Sequence, residues 1–152
     1  MVICEELIAV DVVAADADAT MELLGEMLCR SGATEPRYTA AVIAREAEHP
    51  TGLPTKPFPI AIPHAGTDGV LRSAIAVACL RSPVGFRNMG DPDEELMVEM
   101  VLMLATASAE EQVPLLRDLT LVFGDPERLG DLRSQPSSRA VAEWMRKELS
   151  IA

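Results

Sequence analysis

The stretch Ala41–His64, AVIAREAEHPTGLPTKPFPIAIPH, fixes the order of elements in the middle of the chain and decides the class of fold. Its first eight residues have the apolar spacing of a helix. We predict that this helix ends before Pro50, because the residue ahead of a proline disfavours helical backbone. The ten residues that start at Pro50 hold four of the eleven prolines, so they predict a loop. Ile60–Ile62 then predicts a short strand that Pro63 stops, with His64 at its exit.

Outside this stretch, strand patterns and helix patterns follow one another. Three segments rich in β-branched or other apolar residues predict further strands: Ile8–Val13, Ser73–Leu80 and Val98–Leu104. Between the last two, Ser82–Asp93 is rich in Gly, Pro and Asp and predicts a loop. Helix-starting residues predict five helices, which begin near Asp16, Pro36, Ser108, Asp125 and Ser137.

Local signals refine these helices and their arrangement. Ser108 and Glu111 match a capping box, with Ser at the N-cap and Glu three residues later. Gly124 is predicted to close the helix that Ser108 opens. A strand, two helices, about three strands and then helices predict a layered α/β domain with a mixed sheet.

Length and charge exclude several classes of protein. The chain has 152 residues, 49% of them hydrophobic, so we expect a single domain over residues 1–152 with a sizeable core. Its net charge of -11 repels phosphate backbones and anionic membranes, which excludes a general nucleic-acid binder. Glu5 and Glu6 interrupt the apolar start, and no apolar run approaches a membrane span. We therefore expect a soluble cytoplasmic protein with no segment inserted in the membrane.

The cysteines predict neither disulfides nor metal binding. There are three of them, Cys4, Cys29 and Cys79, and they are widely spaced, with no CxxC pattern. With only two histidines beside them, the chain has little from which to build a zinc cluster. We expect small buried apolar side chains in a reducing compartment.

His64 is the first candidate for chemistry, because the end of a strand in an α/β sheet is where ligands usually bind. Pro63 stiffens the backbone ahead of it, and Ala65 and Gly66 leave room for a partner to approach. A neutral imidazole is nucleophilic, and histidine titrates near neutral pH. Taken alone, such a histidine is also compatible with a purely structural role.

Arg45 is the second candidate, near the end of the helix that precedes the proline-rich loop. Its guanidinium can bind two oxygens and stays charged, which suits phosphate chemistry. The plainer interpretation is a surface ion pair with Glu46 or Glu48. His49 is the only other histidine, and at the predicted helix end it interacts well with the helix C terminus without any catalytic role.

The chain resembles the fructose/mannitol-type IIA component of the bacterial sugar phosphotransferase system. Three stretches carry the resemblance: Ala41–Glu48, Pro50–Gly52 and Ile60–His64. The resemblance extends across nearly all the chain. It implies a three-layer α/β/α domain with a small mixed β-sheet flanked by helices, and no cofactor or metal. It also implies a phosphotransferase component that carries a phosphoryl group on a histidine. The group comes from the phosphocarrier HPr and passes to a IIB component, which works with the membrane IIC. On this pattern His64 is the phosphoryl acceptor and Arg45 is the active-site arginine.

Gln112 marks a departure from many relatives, which have a second histidine in a His-Leu-x-x-Leu pattern at that place. Ala41–Glu48 and Gln112–Arg117 resemble the galactitol-type branch best, so the resemblance implies uptake of a polyol such as galactitol. We expect Gln112 to donate a hydrogen bond to a phosphoryl oxygen or to His64, assisted by backbone N–H groups near Gly66. A solvated residue in the first turn of the helix is the alternative.

Two further functions stay open on the sequence. A regulatory protein of the same fold, as in the nitrogen-type branch of the family, would be phosphorylated on His64 without feeding a transporter. A degenerate module would bind partners without being phosphorylated, but the intact Ile60–His64 motif and Arg45 disfavour it.

One acidic run has two interpretations. It contains no Lys or Arg and comprises Asp91, Asp93, Glu94, Glu95 and Glu99. It is either a solvated loop and strand start, or a surface that steers a basic partner.

Overall fold

Five strands and five α-helices make up the chain over residues 1–151, which the computed structural model describes. Ala152, the last residue of the expected domain, lies outside the described residues. After a short 3-10 helix at Glu5–Leu7, the elements are β1 (Ile8–Val12), α1 (Ala17–Arg30), α2 (Arg37–Glu48), β2 (Gly52–Leu53), β3 (Ile60–Ala61), β4 (Ala74–Arg87), β5 (Glu95–Ala105), α3 (Ala109–Phe123), α4 (Pro126–Arg133) and α5 (Ser138–Glu148).

The strands form one mixed sheet, in the order β1-β4-β5-β3-β2. β1 runs parallel to β4 and β3 parallel to β5, whereas β4 pairs antiparallel with β5 and β2 with β3. The predicted mixed sheet is therefore confirmed. The long β4–β5 pair lies at its centre, and the short β3 lies along β5 so that its end delivers His64.

Side chains of the two central strands point alternately to opposite faces, as the pleat of a strand requires. On β4, Ala74, Ala76 and Ala78 pack against the layer of α1 and α2, while Ile75 and Val77 pack against α3, α4 and α5. Both helical layers are amphipathic and bury their apolar faces on the sheet. Fully burying one side chain of this kind stabilises the fold by roughly 1.5–3 kcal/mol. The predicted three-layer α/β/α architecture is confirmed.

A close helix contact holds α2 in place. A Cβ atom on Gly25 of α1 would lie 2.0 Å from the Thr39 Oγ1 of α2, so only glycine permits this approach. α2 carries Tyr38 near its start and Arg45 in its last turn. The close contact between α1 and α2 therefore helps to fix where α2 and these two side chains lie.

The predicted loop Ser82–Asp93 is wrong over its first half. β4 continues to Arg87, and an irregularity between Cys79 and Val84 accommodates Pro83 before pairing with β5 resumes at Val84 and Val98. Bulges are where a sheet tolerates proline, because the ladder is already interrupted there. The turn of the hairpin shrinks to the residues between Arg87 and Glu95.

Two smaller predictions also need correction. Gly52–Leu53, inside the predicted proline-rich loop, forms β2 and pairs with Ile60 and Ala61. Ser108 is the N-cap of α3, but its side chain makes no capping hydrogen bond. The Glu111 carboxylate instead accepts a hydrogen bond from the Ser73 hydroxyl, so there is no capping box.

The remaining helix predictions are confirmed. Asp16, Asp125 and Ser137 are N-caps whose side chains accept hydrogen bonds from the first turns of α1, α4 and α5. No helix in residues 1–151 is both long and apolar enough to cross a membrane. The three cysteines are free and only half-buried, which is less burial than expected.

Candidate functional site

His64 lies where β3 ends against β5. The Leu104 N–H donates a hydrogen bond to the Pro63 carbonyl at 3.0 Å, which extends the parallel β3–β5 ladder by one bridge between His64 and Leu104. Pro63 itself needs no partner for an amide proton, because proline has none. The result is a half-buried histidine fixed to the central sheet rather than carried on a loose loop.

The His64 ring is oriented by its own backbone. Its Nδ1 lies 2.8 Å from the Ile62 carbonyl oxygen. A carbonyl only accepts hydrogen bonds, so Nδ1 carries the proton in the neutral ring and Nε2 keeps its lone pair. Burial lowers the pKa of His64, and the nearby Arg45 cation lowers it further, while the Ile62 hydrogen bond opposes them. The neutral, nucleophilic form is therefore favoured.

An open cavity of about 640 Å³, the His64 pocket, surrounds this ring. Its cationic or titratable lining side chains are Arg45, His49, His64 and Arg117. Its apolar lining side chains include Leu53, Ile62, Met89, Val113, Leu116 and Leu121. Val113 is 71% exposed and Leu121 67%, so this apolar surface is open to a partner protein. The pocket combines local positive charge with apolar contact area in a strongly acidic chain.

Arg45 does not form the surface ion pair that was the plainer interpretation. It lies exposed in the last turn of α2, and no carboxylate within residues 1–151 comes within 4.0 Å of its guanidinium. His49 ends the helix, and its backbone N–H donates to the Arg45 carbonyl at 2.7 Å. Arg45 is thus available to an anionic ligand in the His64 pocket.

Glu46, the other suggested partner of Arg45, has a different role. It is buried, and its carboxylate accepts hydrogen bonds from the Thr51 N–H at 2.8 Å and the Thr51 hydroxyl at 2.7 Å. Burial raises the pKa of Glu46, and the Thr51 hydrogen bonds counteract this. The hydrogen bonds between Glu46 and Thr51 hold the loop after α2 against the helix. Pro50 and Thr51 of that loop line the His64 pocket.

Gln112 reaches the turn after His64 but not the ring. Its amide nitrogen donates a hydrogen bond to the Ala65 carbonyl at 3.1 Å, so it is not the solvated first-turn residue of the alternative interpretation. Gly66, by contrast, has open space around it, as expected for a place where a partner approaches.

Tyr38 is a functional candidate that the sequence analysis missed. Its side chain is fully buried, and its hydroxyl donates to the Leu104 carbonyl at 2.6 Å. The same hydroxyl accepts from the Ala65 N–H at 3.2 Å. In the sequence, Tyr38 is distinguished only by its helical spacing from Arg45. That pattern predicts an ordinary core residue.

The acidic run is divided by the structure. Asp91, Asp93 and Glu94 belong to the hairpin turn that follows Met89, a residue of the pocket wall whose N–H donates to the Gly52 carbonyl at 2.8 Å. Glu99 instead pairs with Arg133 on α4. The acidic turn therefore borders the His64 pocket, but Glu99 does not contribute a free charge.

Chemically, the site presents an unprotonated ring nitrogen, a free guanidinium and an open apolar surface. That combination suits the reversible transfer of a phosphoryl group between proteins, where positioning and charge stabilisation supply the catalysis. Over residues 1–151, no three His, Cys, Asp or Glu side chains are grouped so as to hold a metal ion.

Comparison with known proteins places this geometry in context. The family model for EIIA 2 of the phosphoenolpyruvate-dependent sugar phosphotransferase system matches residues 1–148. The galactitol-specific EIIA component of Escherichia coli K12 is 29% identical over 124 residues, which is 82% of this chain and 82% of the relative.

Two solved structures are similar throughout. The crystal structure of IIA mannitol from Escherichia coli has a TM-score of 0.75 at 26% identity, covering 95% of this chain and 99% of that one. The nitrogen regulatory protein IIA-Ntr from Neisseria meningitidis has a TM-score of 0.75 at 26% identity, covering 95% and 94%. The expected resemblance to the IIA components is confirmed.

Proposed function

Because the chain belongs to the EIIA 2 family of the phosphoenolpyruvate-dependent sugar phosphotransferase system, we propose that it carries a phosphoryl group on His64. The group would come from phospho-HPr and pass to a IIB component. The observation that carries the proposal is the hydrogen bond from His64 Nδ1 to the Ile62 carbonyl, which leaves Nε2 as the nucleophile.

In the transfer step, the Nε2 lone pair attacks the phosphorus of phospho-HPr. The new N–P bond forms as the N–P bond to the HPr histidine breaks, and the leaving imidazole takes back its electron pair. The His64 ring gains positive charge in this step, so its Nδ1–H bond to Ile62 strengthens. Transfer to IIB is the same step with this chain as the donor.

Arg45 stabilises the charge on the transferred group. Phosphoryl transfer passes through a loose transition state whose equatorial oxygens carry the charge, and a fork of N–H donors matches two of them. Arg45 has no carboxylate partner to give up within residues 1–151 and lines the same cavity as His64. Backbone N–H groups near Gly66 would assist it.

Gln112 takes part through Ala65. Its hydrogen bond to the Ala65 carbonyl steadies the turn that begins at His64. The second hydrogen of the same amide group would be donated to a phosphoryl oxygen, whereas the expected hydrogen bond to the His64 ring is not made.

The relatives support a role in transport. A galactitol-specific EIIA component is among them, so we propose uptake of galactitol or a similar polyol through a IIB component and a membrane IIC. Residues 1–152 would act as a single domain of this type, working in the cytoplasm where HPr and IIB are found. The match over residues 1–148 supports that extent.

The test is reconstitution in two stages. The chain is incubated with enzyme I, HPr and labelled phosphoenolpyruvate, and one acid-labile phosphoryl group per chain is expected. Omitting HPr is the control. Candidate IIB and IIC proteins are then added with galactitol or with an unrelated sugar. Failure of the first stage would overturn the proposed carrier function.

A regulatory role is the second candidate, supported by the similarity to IIA-Ntr at the same TM-score as the mannitol protein. Such a protein would be phosphorylated on His64 in the first stage. It would not discharge to any sugar in the second stage, so the same experiment separates the two functions.

A further inference from the structure

The Tyr38 hydroxyl bonds to both strands where the parallel β3–β5 ladder ends, next to His64. A bridge between His64 and Leu104 calls for two bonds, from the Leu104 N–H to the Pro63 carbonyl and from the Ala65 N–H to the Leu104 carbonyl. The first is present at 3.0 Å. At the second, the Tyr38 hydroxyl contacts both groups: it accepts from the Ala65 N–H at 3.2 Å and donates to the Leu104 carbonyl at 2.6 Å.

This pair of hydrogen bonds ties the residue after His64 to the central strand β5 through the Tyr38 side chain. The Ala65 N–H and the Leu104 carbonyl therefore both have a hydrogen-bond partner. Buried polar groups need one, and Tyr38 has no exposed surface. The backbone after His64 is therefore linked to β5 by one phenol oxygen.

We propose that Tyr38 is a positioning residue for His64: its hydroxyl, bonded to Ala65 and Leu104, holds the backbone turn that lets Nδ1 bond to Ile62 and leaves Nε2 free. The proposal rests on the proposed carrier function. Tyr38 itself touches no reacting atom, because its hydroxyl is committed to Leu104 and Ala65.

Tyr38→Phe tests this with the least change in shape. Without the oxygen, the Ala65 N–H either stays unpaired or bonds directly to Leu104, and in both cases the turn at His64 loses the hydrogen bonds that hold it. A displacement of the nucleophile of about 1 Å can cost about 100-fold in rate, so we expect transfer from phospho-HPr to slow by roughly 10- to 100-fold.

Trp144→Phe is the matched control. Trp144 is also a buried aromatic side chain with one hydrogen bond, from Nε1 to Asp131 Oδ2 at 2.7 Å, and it lies on α5 in the opposite layer. Both variants should lower the free energy of unfolding in urea. Only Tyr38→Phe should slow the transfer, so general destabilisation is separated from positioning.

A second readout does not depend on activity. Nitrogen-15 NMR of the His64 ring identifies which nitrogen carries the proton. The native chain and Trp144→Phe should have the proton on Nδ1, and Tyr38→Phe should give a mixture of both forms. A folded Tyr38→Phe with the native tautomer and the native rate would overturn the proposal.

The single tyrosine provides a measurement that needs no substitution. Growth with 3-fluorotyrosine labels only Tyr38, and its fluorine-19 signal should shift when His64 is phosphorylated. An unmoved signal would contradict the proposal, also if Tyr38→Phe does not fold. If the native chain takes no label from phospho-HPr, the carrier function fails, while the tautomer comparison still decides the role of Tyr38.

Discussion

Tyr38 and Gln112 hold the two backbone groups of one residue, Ala65, from opposite layers of the domain. The Tyr38 hydroxyl on α2 accepts from the Ala65 N–H at 3.2 Å, and the Gln112 amide on α3 donates to its carbonyl at 3.1 Å. His64 is therefore positioned by both helical layers and by the strand that carries it.

Gln112→Glu should slow phosphoryl transfer while the chain stays folded. The substitution keeps the size of the side chain but replaces the donor by a carboxylate, which repels both the Ala65 carbonyl and a phosphoryl group. The loss of a hydrogen bond of about 1–2 kcal/mol corresponds to roughly a tenfold lower rate. Gln135→Glu is the control, because the Gln135 amide also donates to a backbone carbonyl, of Asp131, on α4. Equal rates for the two variants would remove Gln112 from the mechanism.

His64→Ala should abolish the acid-labile label, and His49→Ala should still take up one group per chain. His64 has a ring orientation that frees Nε2, whereas His49 caps α2 with its backbone. Mass spectrometry of the intact chain after incubation with phospho-HPr measures both. Label retained on His49 in the His64→Ala chain would contradict the assignment.

Arg45→Lys should slow transfer without loss of stability. Lysine keeps the charge but has no fork to bind two oxygens, and loss of a charge-assisted contact of about 1.5–3 kcal/mol predicts a rate lower by roughly one to two orders of magnitude. Stopped-flow transfer from phospho-HPr measures it. Arg30→Lys, in an exposed ion pair with Glu26 on α1, should transfer at the native rate. A native rate for Arg45→Lys would favour a role for charge alone.

The titration of His64 should lie below the ordinary histidine range. Burial and Arg45 lower its pKa in the folded chain, so the folded state binds fewer protons than the unfolded state between the two pKa values. The folding free energy that depends on a neutral His64 ring is therefore fully present above the pKa of the unfolded state. It is lost as the pH falls from that pKa to the lower pKa of the folded state.

Arg45→Gln removes one of these causes, so it should raise the pKa of His64 toward its ordinary value. NMR titration of the ring measures the change, and Arg30→Gln serves as the control. An unchanged His64 pKa in Arg45→Gln would mean that Arg45 does not act on the ring electrostatically.

The rate of association with HPr should fall as salt is added. The chain carries a net charge of -11, and the turn with Asp91 and Asp93 borders the His64 pocket. Salt screens such charges over about 10 Å at 0.1 M, and steering acts on association more than on dissociation. The double variant Asp91→Asn/Asp93→Asn should weaken the salt dependence of the association rate. The control Glu22→Gln/Glu127→Gln, which changes two carboxylates exposed elsewhere, should weaken it less. A flat association rate would assign the charge to solubility.

The order of elements could be predicted from the sequence because apolar spacing and helix-starting residues act locally. Asp16, Asp125 and Ser137 cap the helices that they were expected to open. Glu111 was misassigned because Ser73, distant in the sequence, competes for its carboxylate. β2 was missed since two residues give no periodicity, and their pairing with β3 is a tertiary contact.

The candidate site divides in the same way. His64 and Arg45 stand in a recognisable motif, and the structure brings them to one pocket. Tyr38 and Glu46 could not be assigned, because their roles rest on contacts with Leu104, Ala65 and the Thr51 loop that only the fold creates. Many amphipathic helices contain a buried tyrosine, or a glutamate next to an arginine. The sequence pattern therefore does not distinguish Tyr38 or Glu46 from residues without a role in a site.

The two hydrogen bonds that hold Ala65, one from each helical layer, have a consequence for chains that are not complete. They come from helices made before and after His64 during synthesis, so a growing or truncated chain that lacks α3 has only one of them. Under the proposed carrier function, a chain that ends before α3 should therefore accept a phosphoryl group more slowly than the whole chain, because it lacks the Gln112 hydrogen bond to Ala65.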